Sequence, residues 1–118
     1  MFIKALKGKL HRATVTDAKV DYPGSVAIDA ALLDAAGIRP YEEVLLANVT
    51  NGARVETYVI AAPADSGQVV VLGAAARLIS PGDIIIVLNF AYYSPDEMKT
   101  LKPRVVLLGP KNQIERIL

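Results

Sequence analysis

The sequence predicts a small, closed, mostly antiparallel or mixed β-barrel with one or two short helices. Three observations carry that expectation. Apolar segments of strand length recur along the chain, separated by turns rich in Gly, Pro and Asn. Two stretches, 36–48 and 77–89, resemble each other: each sets a Pro-containing turn and an acid ahead of an apolar strand, and each ends on Asn (Asn48, Asn89). Two related halves closing into one barrel would leave no open sheet edge. With 118 residues, 53% hydrophobic and 21% charged, the chain fits one compact domain with its own core. No linker or low-complexity segment divides residues 1–118.

The elements follow in order. Residues 1–6 read as a short strand. Across 10–20 the pattern alternates, with Ala13, Val15 and Asp17 on one face and Thr14, Thr16 and Ala18 on the other, which is β rather than helix. A turn at 21–25 leads into extended chain at 26–28. Asp29 is a fair N-cap for a helix over 30–36, which Gly37 ends. A turn at 39–43 opens a strand over 44–49, and Asn51-Gly52 signals a hairpin of type I′. The return strand covers 54–60. After a loop at 62–67 comes a strand over 68–72, then a small-residue segment, 73–77, read as one helical turn or a tight connection. Pro81-Gly82-Asp83 turns into a strand over 84–90, whose unbroken apolar run predicts burial on both faces. Ser94 to Glu97 reads as a capped helical turn, 104–108 as a last strand, and Gly109-Pro110 as the start of a mobile tail.

Composition removes several function classes. Thirteen Lys+Arg against 12 Asp+Glu leave a net charge of +1, which argues against bulk electrostatic binding to nucleic acid or an anionic membrane. No cysteine is present for a disulfide or a thiolate metal site, and the single His11 cannot build a histidine cluster. No window reaches the length of a membrane span, and the N-terminal residues carry no long apolar segment. A cytoplasmic protein is expected, and many apolar residues with low charge favour an oligomer.

The chain also has no P-loop, no HExxH and no GxGxxG after a strand. What remains is the stretch Asp21-Tyr22-Pro23-Gly24-Ser25 and a set of polar residues on or beside strands: Lys9, His11, Arg54, Thr57 and Tyr58. The plain reading of the first is a type II turn with Pro23 second, Gly24 third and Ser25 starting a strand. The chemical reading is that the Ser25 hydroxyl attacks the carbonyl of Gly24, where the missing Cβ permits close approach. For Lys9 and Arg54 the plain reading is a solvated face. Thr57 and Tyr58 read equally as ordinary strand residues.

Together these residues carry a resemblance. Residues 6–12, Tyr22-Pro-Gly-Ser25 with Ala27-Ile28-Asp29, 33–38, 48–52, Arg54 with Thr57-Tyr58, Gly73-Ala-Ala-Ala76 and Pro81-Gly-Asp83 match the pyruvoyl-dependent aspartate 1-decarboxylases in order and spacing. The resemblance implies a proenzyme (zymogen) with a six-stranded double-psi β-barrel. It implies autocatalytic cleavage between Gly24 and Ser25 by N→O acyl shift, giving residues 1–24 and 25–118, with a covalent pyruvoyl group made from Ser25. Thr57 would assist the cleavage. That group would form a Schiff base with L-aspartate and take up electrons as the α-carboxylate leaves, giving β-alanine and CO₂ for pantothenate biosynthesis without metal or pyridoxal phosphate. By the same resemblance Lys9 and Arg54 meet the two substrate carboxylates and Tyr58 donates the proton. Thr57 and the backbone of Gly73, Ala74 and Ala75 line the substrate pocket, His11 supports it, and active sites lie between subunits of a homotetramer.

The chain departs from the family's usual pattern at Leu72, where an Asn is the rule. Alternation also sends Thr57 and Tyr58 to opposite faces, so one pocket could use both only through a local twist, a strand end, or a site between subunits. The competing readings are a non-catalytic β-barrel binding a protein or nucleic acid, and a hydrolase using Ser25 and His11. A need for a maturation partner is not legible.

Overall fold

The computed structural model describes residues 1–118. Its strands are β1 (Ile3–Thr14), β2 (Asp17–Lys19), β3 (Ser25–Asp29), β4 (Glu43–Asn48), β5 (Arg54–Ala62), β6 (Val69–Leu72), β7 (Ile84–Tyr93), β8 (Arg104–Leu108) and β9 (Ile114–Ile117), with two short helices, α1 (Ala30–Ala36) and α2 (Pro95–Met98). The nine strands are neighbours in the order β2-β6-β3-β5-β4-β7-β1-β8-β9. Antiparallel pairs dominate, with parallel pairing of β1 with β8, β2 with β6, and β3 with β5.

One segment joins the ends of the central run. β1 pairs with β7, and two residues later its extension β2 pairs with β6. Counting β1 and β2 as one, six strands therefore surround the core, and β8 with β9 extends the sheet beyond them. Thr16 fastens the crossing: its N–H and hydroxyl donate to Val69 O at 2.8 and 3.1 Å, and its hydroxyl accepts from Val69 N at 3.0 Å. The side-chain phase changes there. Ala13 and Val15 are buried as the alternation predicts, but beyond Thr16 it is Ala18 that turns inward while Asp17 is exposed. The core is aliphatic, built from one face of each strand, with Leu10, Ile28, Leu46, Val59, Val71 and Ile85 fully buried.

Local chemistry explains most boundaries. Asp29 caps α1 by accepting from Ala31 N at 2.8 Å, and Gly37 ends the helix at φ 70°. The Asp29 carboxylate also accepts from Asp65 N and Gly67 N, both at 2.9 Å, so it ties the 62–67 loop to the end of β3. Residues 73–77 form one 3-10 turn. Ser94 and Glu97 form a capping box at α2.

Three expectations are corrected. The 48–53 hairpin is not a two-residue type I′ turn. Gly52 has φ 80° but Asn51 does not take positive φ, and the strands close where Asn48 N donates to Ala53 O at 2.8 Å. The Asn48 side chain accepts from Thr50 N at 2.9 Å and organises a longer loop. β7 is not buried on both faces: Ile85, Val87 and Asn89 are buried, whereas Ile84, Ile86, Leu88 and Phe90 are half-covered. The C-terminal segment is not a loose tail, because β9 pairs with β8 and Asn112 is 3% exposed. The Asn112 amide accepts from Thr14 N at 2.7 Å and donates to Thr14 O and Gly67 O, both at 2.9 Å.

The internal similarity is structural. Aligning Ala36 with Arg77 matches Val44 with Ile85 and Asn48 with Asn89, and these residues pair across β4 and β7 as Val44 with Asn89 and Asn48 with Ile85. The turns before the two strands match as well. Tyr41 N donates to Val59 O (2.7 Å) and Val59 N to Glu42 O (3.1 Å). In the other half Gly82 N donates to Val15 O (2.8 Å) and Val15 N to Asp83 O (2.9 Å). The Glu42 and Asp83 carboxylates accept from Arg39 N (2.5 Å) and Ser80 N (2.9 Å). The Ser80 N–H and the Asn48 amide hold the Asp83 carboxyl below its ordinary range. Burial would raise the Glu42 carboxyl, but the Lys7 ammonium, the Arg39 N–H and both nearby charges together bring it down. The matching turn positions both lie in the left-handed region, Tyr41 at φ 75° and Gly82 at φ 89°. Glycine takes that conformation freely, whereas for tyrosine it costs on the order of 1–3 kcal/mol.

Candidate active site

Ser25 is the first residue of β3 and is 4% exposed, while Gly24 before it is open to solvent. β3 lies between β5 and β6. Ser25 stands directly opposite Leu72 on β6, so the position where the resemblance leads one to expect Asn faces the serine itself. Val26 pairs with Val59 on the parallel strand β5, which sets Tyr58 and Thr57 at the Ser25 end of that pair. Immediately after Leu72 the chain turns at Gly73, φ 80°, against the Gly24 backbone. A Cβ on Gly73 would lie 2.7 Å from Gly24 Cα and 2.9 Å from both Gly24 N and Tyr22 O. No real side chain fits that space.

The glycine requirement therefore falls at Gly73. Gly24 does not take positive φ, and a Cβ there would meet nothing within 4 Å. A type II turn with Gly24 in third position needs positive φ at that residue, so that reading of residues 22–25 is overturned. What packs closely here is the Gly73 backbone against Gly24 Cα and N, an approach that depends on the missing Cβ of Gly73.

The other expected residues divide into groups. Gly73 and Ala75 are buried and Ala74 is exposed in the 3-10 turn beside Gly24. The Ala75 carbonyl already accepts from Leu78 N (3.0 Å) and Ile79 N (3.1 Å), which commits it to the turn. From Arg54 to Val59 the alternation on β5 is regular, and it breaks only beyond Ile60, where Ala61 is exposed and Ala62 buried. Thr57 faces inward with Val55 and Val59, and Tyr58 faces out with Arg54 and Glu56. Over that stretch the two residues keep opposite faces. Arg54 starts β5, and a rise of about 3.3 Å per residue puts it about 13 Å from Tyr58 along the strand. Lys9 and His11 lie half-buried on β1, paired with Val105 and Leu107 of β8. β7 and β4 separate β1 from β5 in the sheet. No strand pairing within the chain brings Lys9, His11 or Arg54 to Ser25.

His11 has a buried Nδ1 without a hydrogen-bond partner. Burial first, then the Lys9 and Arg12 charges, lower its pKa, which favours the uncharged ring. A groove of about 450 Å³ bordered by Lys4, Glu43, Leu45, Glu56, Phe90 and Tyr92 lies on the outer side of the sheet and excludes Ser25. Lys4 sits over the Phe90 ring, 5.7 Å from its centroid.

The profile of the aspartate decarboxylase family matches residues 1–115. The chain belongs to the aspartate decarboxylase family. Aspartate 1-decarboxylase of Lactiplantibacillus plantarum is 52% identical over 116 residues, covering 98% of this chain and 89% of the relative. That of Clostridium botulinum is 50% identical over 117 residues (99% and 94%), and that of Listeria monocytogenes 45% over 118 residues (100% and 93%).

In this member of the aspartate decarboxylase family one further side chain stands beside Tyr58. Tyr41, 78% exposed, lies with its ring centroid 6.4 Å from that of Tyr58. The sequence carried one signal of it: where the second repeat has Gly82, the first has a tyrosine. Without the hydrogen bonds that superpose the two turns, that mismatch looks like ordinary variation.

Proposed function

We propose that this chain is a self-processing aspartate 1-decarboxylase that removes the α-carboxylate of L-aspartate as CO₂ and yields β-alanine for pantothenate biosynthesis. The observation that carries the reading is the cradle at Gly73, where absence of a Cβ lets the chain close on the Gly24 backbone beside the buried Ser25. The Ser25 hydroxyl attacks the Gly24 carbonyl, and the peptide becomes an ester. Donors nearby, Thr57 among them, stabilise the oxyanion. Elimination breaks the ester at the Ser25 Cβ–O bond, releases residues 1–24 as a carboxylate and leaves dehydroalanine, and hydrolysis then expels its nitrogen as ammonia to leave a pyruvoyl group at the head of 25–118. This group supplies a carbonyl that takes up the electron pair left by departing CO₂, a task no standard side chain performs.

The remaining residues bind and orient. Aspartate carries two carboxylates, which the Arg54 guanidinium and the Lys9 ammonium meet; the planar guanidinium suits bidentate contact. Tyr58 delivers the proton that replaces CO₂. His11, whose buried Nδ1 has no hydrogen-bond partner, supports the site, and Gly73, Ala74 and Thr57 line it. No metal and no pyridoxal phosphate are required.

Lys9, Arg54 and Tyr58 are separated within one chain, so the site is completed by association into a homotetramer with active sites between subunits. The half-covered Ile84, Ile86, Leu88 and Phe90 on the outer face of β7 support such association. No helix is long and apolar enough to cross a membrane. A cytoplasmic location and no nucleic-acid partner fit the net charge of +1. The test is a mass spectrum of the purified protein beside an assay of CO₂ release from aspartate. Two fragments and activity are expected; an intact chain that is active would refute the mechanism.

Arg54→Ala is expected to raise the aspartate KM roughly 10- to 150-fold, the worth of a charge-assisted contact of about 1.5–3 kcal/mol. Steady-state kinetics decide it, and unchanged KM and kcat would remove Arg54 from the site. Leu72→Asn is expected to speed self-cleavage about 2- to 13-fold, by supplying one hydrogen bond of about 0.5–1.5 kcal/mol opposite Ser25. The readout is the rate at which the intact chain disappears on a gel. An unaltered rate would mean that this position does not touch the processing step.

A further inference from the structure

The geometry points to Tyr41 as a positioning residue for Tyr58, a role that rests on the reading of Tyr58 as the proton donor. Three observations converge on it. Tyr41 holds a left-handed backbone, φ 75°, in the slot that the other half of the barrel gives to Gly82 at φ 89°. A bulky residue kept in that region is strained, and such strain persists only where the surroundings enforce it. Here they do so through β5 itself: Tyr41 N donates to Val59 O at 2.7 Å, and Val59 N returns a bond to Glu42 O at 3.1 Å. The turn is thereby clamped to the residue that follows Tyr58.

The side chain does not repay this strain by burial, since Tyr41 is 78% exposed. Its ring lies 6.4 Å from the Tyr58 ring, centroid to centroid, at an interplanar angle of 31°. That separation is within the range of attractive aromatic pairs. Tyr58 is itself 39% exposed at an outward-facing strand position, where an unaccompanied ring could adopt several rotamers. Tyr41 thus forms a wall that narrows the orientations of the Tyr58 phenol. Its own hydroxyl has no part in this; the ring does.

The test compares Tyr41→Gly, Tyr41→Phe and Tyr58→Phe. Glycine relieves the backbone and removes the wall, so Tyr41→Gly should melt no lower than the wild type while kcat falls roughly 2- to 13-fold at unchanged KM. A residue that only stabilised the fold would not lose turnover while keeping its melting temperature. Tyr41→Phe keeps the ring and should restore kcat. A second readout needs no processed enzyme. In Ser25→Ala protein with labelled tyrosine, the Tyr58 ring-proton NMR signals should shift on Tyr41→Gly and stay in place on Tyr41→Phe. Unmoved Tyr58 signals in Tyr41→Gly would overturn the inference. So would an undiminished kcat in Tyr41→Gly beside a Tyr58→Phe enzyme that has lost activity. If Tyr58→Phe keeps its kcat, the role given to Tyr58 falls, and this one falls with it.

Discussion

Ser25→Ala is expected to emerge as one uncleaved chain of 118 residues without decarboxylase activity. The alanine methyl cannot attack the Gly24 carbonyl, so no ester forms, no elimination follows and no ketone is made. The loss should be on the order of 10⁶-fold or more, since even modest enzymatic accelerations are that large and the electron sink accounts for the chemistry. Folding should be intact, because Ser25 contributes to the sheet through its backbone pairing with Leu72. A single mass for the whole chain, a melting temperature near that of the wild type and no CO₂ from aspartate are the expected set. Cleavage or turnover in this variant would end the self-processing reading.

Asp29→Ala should strongly destabilise the fold. Asp29 is 3% exposed, and its two carboxylate oxygens accept from three backbone donors: Ala31 N at 2.8 Å, Asp65 N at 2.9 Å and Gly67 N at 2.9 Å. Truncation removes the α1 cap and takes the acceptor from three backbone N–H groups, at half-buried Ala31 and Gly67 and at exposed Asp65. The combined cost is about 3–5 kcal/mol. For a domain of this size that corresponds to a melting temperature lower by roughly 10–25 °C. Asp29→Asn should recover part of the loss, because one amide oxygen can still accept from Ala31 N and Asp65 N. The loop that Asp29 holds is itself held by Asn112 through Gly67 O, so Asp29→Ala should also loosen the C-terminal segment. Thermal denaturation by circular dichroism measures the difference; a drop of less than about 1 kcal/mol would show that the three bonds contribute little.

Much of the fold was legible because its signals are local. A carboxylate before an apolar helical run and a glycine after it marked α1 to the residue. Ser94 and Glu97 marked α2, and of the two readings of 73–77, a helical turn or a tight connection, the structure has the helical turn, as a 3-10 turn. The repeat was visible as matching acids and asparagines. The misreadings came where a distant partner changed a local preference. Asn51-Gly52 is a strong two-residue hairpin signal, yet the Asn51 amide donates to Leu78 O at 2.9 Å, and the Asn48 side chain, which donates to Asp83 at 2.8 Å, organises a longer loop. The supposed loose tail after Gly109 is anchored by one amide that reaches Thr14 and Gly67.

The sequence by itself determined the mainly β class, the two related halves and the family, because each rests on residue order and on interactions between near neighbours. Only the tertiary structure decided three other matters. Leu72 faces Ser25, the glycine that must be glycine is Gly73 rather than Gly24, and Tyr41 stands at the ring of Tyr58 in a backbone conformation that its counterpart Gly82 adopts without strain. The reason is common to all three. A steric cradle or a ring contact is a property of two backbones brought together from distant parts of the chain. Neither segment carries any mark of the other until the strands between them have paired.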